Sequence, residues 1–460
     1  AEYIQDWNLD IIKFIKMRDN GGEERMRAQD IFPAIVWSDL FMKRESAEED
    51  WTLFDPYDVP HLNELYGAEF EKAFIEAEHN QSIRKTTIPA RELFTIIMSA
   101  NFKHGTPFAI YKDTANIKNK NKHKGMIRTS NLCTEIFQNT EPERDMYSMV
   151  LADNSEITMS AFETIVTGNG SKKVKYVEVG DTIDGVSVYS ILQYRSKGNT
   201  AICNLASINL AKMTHLPEDE FFYKVYVAVR MLDNVIDVNL YPSTKIEDTA
   251  KATRAIGLGV MGEAEDIAMR HIEFGSQDHV EYIEKYYTMF EEASIAASEQ
   301  LATEKGAYPE WEGSDWPNPV RNGYINAIAP TSSIALLVGT TSCIEQVFKR
   351  KWNERNLSGV IPVTAPHLSP DNYAYYQTAH SVDQGVSIEM NGLRSAHIDQ
   401  GISFNLFIKP EEITNIGVLA ALYRRAWMAG LKSVYYVRSQ APEEKEDDVV
   451  DRSLECSGCQ

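Results

Sequence analysis

The sequence predicts an α/β protein, from its length and from two kinds of hydrophobic pattern. At 460 residues the chain exceeds the usual limit of a single core, so two or more substructures or one large α/β barrel are expected. Apolar residues recur at helical spacing over long stretches, whereas apolar stretches at 402–408 and 434–437 predict short buried strands. A hydrophobic content of 43% and a charged content of 25% are ordinary for folded domains.

Helical patterns occupy much of the chain. Residues 1–110 are predicted to be mainly helical, with an amphipathic run at 90–100 and a loop at 51–60, where Asp-Pro and Val-Pro occur. Further helices are predicted at 220–238 and 279–301.

Changes of pattern divide the chain into four predicted regions. Residues 1–146 and 196–440 are expected to form the main α/β part. Between them, 147–195 alternates short apolar runs with Gly-rich turns, which predicts a small β-rich insertion. The last segment, 441–460, is dense in Asp and Glu and is expected to be a flexible tail.

Charge and cysteine content exclude several classes of function. A formal charge of −21 disfavours a broad grip on the phosphate backbone of DNA or RNA, so any phosphorylated ligand must be bound locally. No apolar run approaches the roughly 18 residues of a membrane span. Five cysteines are too few for a disulfide scaffold, and the histidines lack metal-ligand spacing. A cytoplasmic protein without a metal site is therefore expected.

A glycine motif raises one alternative. Gly257, Gly259 and Gly262 have the spacing of a dinucleotide-binding loop, which would make the chain a dinucleotide-dependent oxidoreductase. That motif needs a buried strand directly before it, and 245–255 is charged and helix-like. Close packing of a glycine-rich helix is the favoured interpretation, and the oxidoreductase stays the alternative.

The acidic tail ends in a C-x-x-C pair, Cys456 and Cys459. Zinc would need two further ligands, and the sequence has no second closely spaced Cys/His pair. Thiol–disulfide exchange suits such a pair, because one thiolate attacks and the neighbouring thiol resolves the mixed disulfide. At roughly 3.3 Å per extended residue, about 15 tail residues could carry the pair about 50 Å. A tail with two idle cysteines is the alternative.

Two patterns in the main part combine reactive groups. Asn131, Cys133 and Glu135 alternate, so on an extended segment an amide, a thiol and a carboxylate would point to one side and meet one small ligand. Tyr435 and Tyr436 adjoin in an apolar run, where they are either packing residues or phenols that relay an electron and a proton.

A third pattern places hydroxyl groups at a predicted helix start. Thr331, Ser332 and Ser333 precede an apolar stretch, and the amino terminus of a helix binds phosphate through unpaired N–H groups and the helix dipole. An ordinary Ser/Thr cap explains the same residues equally well.

Together these patterns resemble the carboxy-terminal part of the class I ribonucleotide reductase large (catalytic, alpha) subunit. The similar stretches follow the family's order and span nearly the whole chain outside 147–195. They are Trp37-Ser-Asp-Leu-Phe-Met42, Asp50-Trp-Thr-Leu-Phe-Asp-Pro56, Ser130-Asn-Leu-Cys-Thr-Glu-Ile136, Arg254-Ala-Ile-Gly-Leu-Gly-Val260, Ile398-Asp-Gln-Gly-Ile-Ser-Phe-Asn405 and Leu431-Lys-Ser-Val-Tyr-Tyr436.

The resemblance implies a role for each reactive residue. Cys133 would carry the thiyl radical that removes the ribose 3′-hydrogen, with Asn131 binding substrate hydroxyls and Glu135 acting as general base. Cys203 would be one half of the thiol pair that reduces the 2′-position. Ser130 would contact the substrate.

Further roles follow from the same resemblance. Tyr435 and Tyr436 would form the last steps of a radical route from the small subunit, with Tyr435 nearer the thiol. The hydroxyls of residues 331–333 would hold the substrate phosphates. Cys456 and Cys459 would re-reduce the active site and be recycled by thioredoxin or glutaredoxin, and Cys343 is left as a packing residue.

The implied fold is the ten-stranded α/β barrel of these reductases, of which this chain would contribute most but not all. The implied reaction converts ribonucleoside diphosphates to 2′-deoxy products for DNA replication, and a metal/radical cofactor on the small subunit supplies the oxidising equivalent. No cofactor is expected on this chain itself.

Two departures from the family shape further expectations. The amino-terminal part, with the effector sites of this allosteric family and the second reducing cysteine, is absent, and no cysteine precedes Cys133. A split protein is therefore expected, in which a separate polypeptide supplies that part. The insertion at 147–195 is a docking surface for that polypeptide, an exposed ornament or a relic. A non-catalytic remnant of the fold is the remaining alternative.

Overall fold

The computed structural model describes residues 1–161, 163–356, 359–412, 415–439 and 449–451. Strands and helices mix along these ranges, which confirms the predicted α/β class. The chain divides into two compact units: Ala1–Gln138, Cys203–Asn239 and the chain from Lys251 onward form the first, and Asn139–Ile202 with Leu240–Ala250 forms the second.

The strands are β1 (Glu2–Gln5), β2 (Pro33–Trp37), β3 (Asp50–Phe54), β4 (Lys85–Pro89), β5 (Phe108–Tyr111), β6 (Arg144–Leu151), β7 (Glu156–Ser160), β8 (Thr164–Thr167), β9 (Gly170–Lys173), β10 (Thr182–Ile183), β11 (Val186–Ser196), β12 (Leu205–Asn209), β13 (Gly257–Met261), β14 (Lys351–Asn356), β15 (Gly359–Thr364), β16 (Leu406–Ile408), β17 (Ser433–Val434), β18 (Val437–Ser439) and β19 (Val449–Asp451). The α-helices are α1 (Ile11–Ile15), α2 (Asp39–Ser46), α3 (Gly67–His79), α4 (Ala90–His104), α5 (Lys112–Ile117), α6 (Leu210–Met213), α7 (Glu218–Val238), α8 (Thr244–Thr253), α9 (Glu263–Met269), α10 (Gln277–Lys305), α11 (Ser332–Val338), α12 (Gln384–Ser395) and α13 (Ile416–Met428).

The first unit is built on a series of paired strands. Its four-stranded sheet has the order β1-β2-β5-β17, parallel except for the antiparallel pair of β5 and β17. Beyond β17 the series continues with β18, which pairs in parallel with β16. Single parallel bridges then join Ile402 to Ile328 and Asn326 to Leu258, and β13 pairs in parallel with β12. Within the described ranges no further strand pairs with the outer side of β1 or β12, so the series is open.

Helices cover this series and bury two hydrophobic clusters. One cluster gathers residues of α2, α3, α4 and α13, with Trp37, Trp51 and Phe94 among them. The other gathers residues of α7, α10 and β13. Helix ends follow local chemistry: α4 stops at Gly105 in the left-handed conformation, with φ of 70°, and α10 starts where Ser276 accepts a hydrogen bond from the His279 amide.

The second unit is mainly β-structure. Its four-stranded antiparallel sheet has the order β10-β11-β6-β7, and β8 pairs with β9 beside it. A separate small core contains Met149, Leu151, Val174, Ile183 and Val188. The segment 147–195, expected to be a β-rich insertion, lies inside this unit.

Residues 1–110 differ from the expectation of mainly helix. The long helices α3 and α4 are present, but β1 to β5 also fall here, and β3 occupies part of the expected loop at 51–60. Each of these strands has four or five residues, which is too short for a strand pattern to be separated from a buried helical turn.

The glycine motif forms a strand, so the expected glycine-rich helix is wrong. β13 includes Gly257 and Gly259, and a Cβ on Gly259 would lie 2.3 Å from the backbone oxygen of Ala327. The close-packing part of the interpretation is therefore correct, with a neighbouring strand segment as the partner. A dinucleotide-binding loop needs its glycines after the strand, where they meet a phosphate, whereas here Gly257 and Gly259 lie inside β13 and, of the three, Gly262 alone follows it.

Of the tail at 441–460, only β19 is described, paired in parallel with β14. Cys456 and Cys459 lie outside the described residues.

Candidate active site

The segment that carries Cys133 is a tight turn. Thr134 has a left-handed backbone, with φ of 63°, and its amide donates to the Asn131 carbonyl over 3.3 Å. The Asn131 side-chain oxygen accepts hydrogen bonds from the amides of Glu135 and Ile136, both over 3.1 Å. The expected extended alternation is therefore wrong here, because the asparagine side chain bonds to its own backbone and folds the segment.

Neighbouring strand segments hold this turn in place. The Ser403 hydroxyl lies 2.6 Å from the Cys133 carbonyl oxygen and 3.0 Å from a carboxylate oxygen of Glu135. The Ser433 hydroxyl donates to the Thr134 carbonyl over 2.8 Å. The turn is thus bonded to the two segments that pair at the centre of the strand series.

Tyr435 contacts the thiol, and Tyr436 packs against Tyr435. The Tyr435 hydroxyl lies 3.4 Å from Cys133 Sγ, and the rings of Tyr435 and Tyr436 have centroids 4.4 Å apart. Phe108 packs on both rings, at 4.7 and 4.9 Å. Burial, followed by the neighbouring Cys133, raises the pKa of Tyr435 far above its usual range. Its oxidation must therefore be coupled to loss of the phenolic proton.

The polar groups of the turn are buried. Cys133 and Glu135 are 2% and 1% exposed. The side-chain nitrogen of Asn131 is buried and has no hydrogen-bond partner within the described ranges. A buried donor without a partner costs free energy, so this nitrogen is suited to a ligand oxygen. Ser130 donates its hydroxyl to the Ile136 carbonyl over 2.7 Å, which closes the neck of the turn.

A cavity adjoins the turn through Ser403. It encloses about 1010 Å³, part of it open to solvent, and its wall includes Ser332, Asn405 and Arg438. Ser332, Thr340, Thr341 and Ser342 are among the lining residues that carry hydroxyl groups. The cavity wall of this acidic chain therefore includes both hydroxyl-bearing residues and an arginine.

The three hydroxyl-bearing residues expected at a helix start, Thr331, Ser332 and Ser333, have different surroundings. Ser332 faces the cavity and Ser333 is exposed. Thr331 is buried in a left-handed conformation, and its hydroxyl accepts a hydrogen bond from the Cys343 amide over 2.8 Å. Thr331 thus positions the loop from inside, while the two serines remain accessible.

The described cysteines have different surroundings. Cys203 is exposed just before β12. Cys343 is buried at the cavity wall, with Sγ 3.8 Å from the Ser403 carbonyl oxygen, and burial raises its thiol pKa well above the usual range. Cys343 is therefore an uncharged thiol.

Sequence patterns missed Tyr3, Ser403 and Ser433, whose hydroxyls bond to the turn. Strand pairing positions these three residues beside the turn, and the pairing of distant strands produces no pattern in the local sequence. In the part of the chain that the structure describes, no three His, Cys, Asp or Glu side chains are placed to hold a metal, and no helix has the length and apolar content to cross a membrane.

The sequence of the chain matches a known protein family and several known proteins. Residues 1–320 and 317–437 match the family described as ribonucleotide reductase, barrel domain. The chain is 41% identical to the ribonucleoside-diphosphate reductase subunit alpha of Helicobacter pylori strain J99, covering 100% of this chain and 63% of that protein. The subunit alpha of Treponema pallidum is 36% identical, with 96% and 52% covered. Large chain 2 of Saccharomyces cerevisiae is 27% identical, with 99% and 53% covered.

The chain thus spans between about half and two thirds of the length of these relatives. The match includes the turn at Cys133, the tyrosine pair and the strand series that joins them. On this evidence the chain belongs to the family of the ribonucleotide reductase barrel domain.

Proposed function

We propose that this chain is the catalytic part of a ribonucleoside-diphosphate reductase, which converts ribonucleoside diphosphates to 2′-deoxyribonucleoside diphosphates. The observation that carries the proposal is the Tyr435 hydroxyl 3.4 Å from Cys133 Sγ, at the end of a pair of tyrosine rings in contact, tilted by 54° with centroids 4.4 Å apart. A phenol and a thiol in contact can exchange a hydrogen atom. Packing alone would not require the hydroxyl to point at the sulfur.

The radical route uses three residues of this chain. The small subunit, with its metal/radical cofactor, supplies the oxidising equivalent. Tyr436 passes it to Tyr435, and the Tyr435 phenoxyl takes the hydrogen atom of Cys133, which leaves a phenol and a thiyl radical. The thiyl then removes the ribose 3′-hydrogen and returns a hydrogen atom at the end of the cycle. The high pKa of Tyr435 supports this step, because the proton and the electron travel together.

Polar groups of the turn handle the ribose hydroxyls. The unpartnered Asn131 nitrogen donates to a hydroxyl oxygen, and Glu135, held near Ser403, accepts the 3′-hydroxyl proton. The 2′-hydroxyl leaves as water, because a secondary hydroxyl is a poor leaving group until the neighbouring carbon carries a radical. Two thiols, Cys203 and a second cysteine, supply two electrons and two hydrogens and become a disulfide.

The cavity beside Ser403 suits the diphosphate. Ser332 and Arg438 lie in its wall, Ser333 offers an exposed hydroxyl next to Ser332 in the chain, and Ser130 stabilises the turn at the ribose end. These groups provide a local anion site in a chain whose net charge of −21 otherwise repels phosphate.

Other parts of the proposal concern the assembly. The open strand series would be completed to the ten-stranded barrel by strands from a separate amino-terminal polypeptide, which would also bring the second reducing cysteine. Cys456 and Cys459 would reduce the resulting disulfide and be recycled by thioredoxin or glutaredoxin. A cytoplasmic location suits such exchange.

Reconstitution tests the proposal. This chain, the amino-terminal partner and the small subunit are combined and assayed for deoxynucleoside diphosphate formation. Cys133→Ser and Tyr435→Phe are each expected to abolish turnover. Tyr111→Phe is the matched control, since it removes a buried phenolic hydroxyl that donates to the Tyr423 carbonyl over 2.8 Å, away from the thiol. Turnover by the Cys133→Ser complex would contradict the mechanism, and an inactive wild-type complex would favour a remnant.

A further inference from the structure

One row of side chains crosses the strands beneath the reactive turn. Tyr3 of β1 pairs with Ala34 of β2, and Ala34 pairs with Phe108 of β5. Residues in register on neighbouring parallel strands point to the same face of a sheet. The small Ala34 side chain therefore leaves room between two aromatic rings.

Cys133 occupies this face. A single hydrophobic cluster contains Ala34, Phe108, Cys133 and Tyr435, with Tyr3 packed against it. Cys133 is thus packed in a cluster with aromatic side chains and an alanine. This packing surface limits where the turn can lie, but apolar packing alone does not fix the orientation of the turn.

The Tyr3 hydroxyl supplies a directional contact. It donates a hydrogen bond to the backbone carbonyl of Asn131, the same carbonyl that accepts from the Thr134 amide. Burial, followed by the negative charge of Glu135, raises the pKa of Tyr3 above its usual range, so the phenol remains a donor.

We propose that Tyr3 is a positioning residue for nucleotide reduction, and that it holds the Asn131 carbonyl so that the Asn131 amide and the Cys133 thiol face the ribose together. This inference rests on the proposed function and adds a residue to it. Without the Tyr3 hydroxyl, the first residue of the turn loses its bond to β1. The ribose would then bind less well and react in a less favourable orientation.

The same geometry separates Tyr3 from the radical route. Oxidation of a phenol to a neutral phenoxyl radical requires a partner that takes the proton. The Tyr435 hydroxyl faces a sulfur, which exchanges a whole hydrogen atom, whereas the Tyr3 hydroxyl faces an amide carbonyl, which is too weak a base. Of these two phenols beside Cys133, only Tyr435 can relay the radical.

Tyr3→Phe in the reconstituted complex tests the proposal, with CDP as substrate. We expect kcat to fall and KM to rise, so that kcat/KM drops about tenfold, in keeping with loss of one hydrogen bond that aligns reacting groups. The melting temperature should match that of Tyr111→Phe, which loses an equivalent hydroxyl-to-carbonyl bond from β5 and should keep wild-type kcat/KM.

A spectroscopic readout separates positioning from radical transfer. With 3-aminotyrosine incorporated at position 435, the trapped radical is measured by electron paramagnetic resonance. We expect the same radical yield with Tyr3 as with Tyr3→Phe, because the route through Tyr436 and Tyr435 is intact. With 3-aminotyrosine at position 3 instead, we expect no trapped radical.

Three results would overturn the inference: wild-type kcat/KM in Tyr3→Phe, a loss of radical yield at 435 that equals the loss of turnover, or a trapped radical at position 3. Failure of the proposed function has a different signature, because the wild-type complex would then form no deoxynucleotide, and this inference would fall with it.

Discussion

At the scale of single residues, a buried charge network near the cavity is fully paired. The Glu263 carboxylate accepts hydrogen bonds from Arg394 Nε over 3.0 Å and from the Tyr287 hydroxyl over 2.5 Å, and it lies 3.0 Å from His279 Nε2. Glu263 and His279 are fully buried. Burial alone disfavours the carboxylate, but Arg394 and His279 outweigh it, and the pKa of Glu263 falls to about 2.

Glu263→Gln is expected to destabilise the protein by about 3 kcal/mol, because it leaves the buried Arg394 guanidinium without its counter-charge. Chemical denaturation measures the free energy of unfolding. Glu292→Gln, an exposed carboxylate on α10, is the control and should leave that free energy unchanged. Equal stability of Glu263→Gln and wild type would show that the network is dispensable.

The same residue predicts a pH dependence. Its folded pKa of about 2 lies below the ordinary value of 4.5, so its contribution is complete above pH 4.5 and is lost as the pH falls towards 2. The stability difference between wild type and Glu263→Gln should therefore shrink by roughly 3 kcal/mol across this window. Denaturation series at several pH values measure it. A difference that stays constant would mean that the carboxylate is not stabilised by its neighbours.

At the scale of elements, β13 depends on glycine for its contact with the next strand segment. A Cβ on Gly259 would also meet the Ile328 Cα at 3.1 Å, so backbone lies where the side chain would go. Backbone cannot move aside without breaking the pairs that continue towards Ile402 and the reactive turn. The glycine motif is thus a packing device within the strand series.

Gly259→Ala is expected to cost about 3 kcal/mol of stability, as other overpacked interiors do. Thermal unfolding followed by circular dichroism measures the effect. Gly21→Ala is the matched control, because no atom lies within 4 Å of the added Cβ. A Gly259→Ala protein as stable as Gly21→Ala would contradict the close approach.

At the scale of the whole molecule, the second unit has its own core and a narrow base. Glu141 and Asn199 exchange backbone hydrogen bonds of 3.1 and 2.9 Å where the chain enters and leaves this unit. Lys245 with Glu143 and Lys197 with Asp248 form ion pairs at the same base. Between these residues the chain runs out along β6 and returns along β11, because the two strands pair antiparallel.

Replacing residues 144–196 with a short Gly-Ser linker is expected to leave the melting temperature of the first unit unchanged. The hydrogen bonds and ion pairs named above stay in place, and the hydrophobic core that is removed is a separate one. Thermal unfolding measures this outcome. The reconstituted complex then tests the docking role. Full assembly and activity of the shortened chain would exclude docking, whereas loss of assembly with an unchanged melting temperature would support it.

Local patterns determined part of this molecule. The helices α4, α7 and α10 follow from apolar spacing, because helical periodicity is a property of neighbouring residues. The family follows from motifs that keep their order along the chain, and the resemblance to that family singles out Tyr435 and Tyr436 among the adjacent tyrosines of the sequence.

Strand pairing decided what the sequence could not. Tyr3 and Asn131 are 128 residues apart, and Ser403 and Cys133 are 270 apart, so no local pattern announces either contact. The turn at Thr134 likewise depends on hydrogen bonds from distant strands as well as on Asn131. The sequence by itself determined which groups can react. The tertiary structure decided which of them meet, because pairing joins segments that are far apart along the chain.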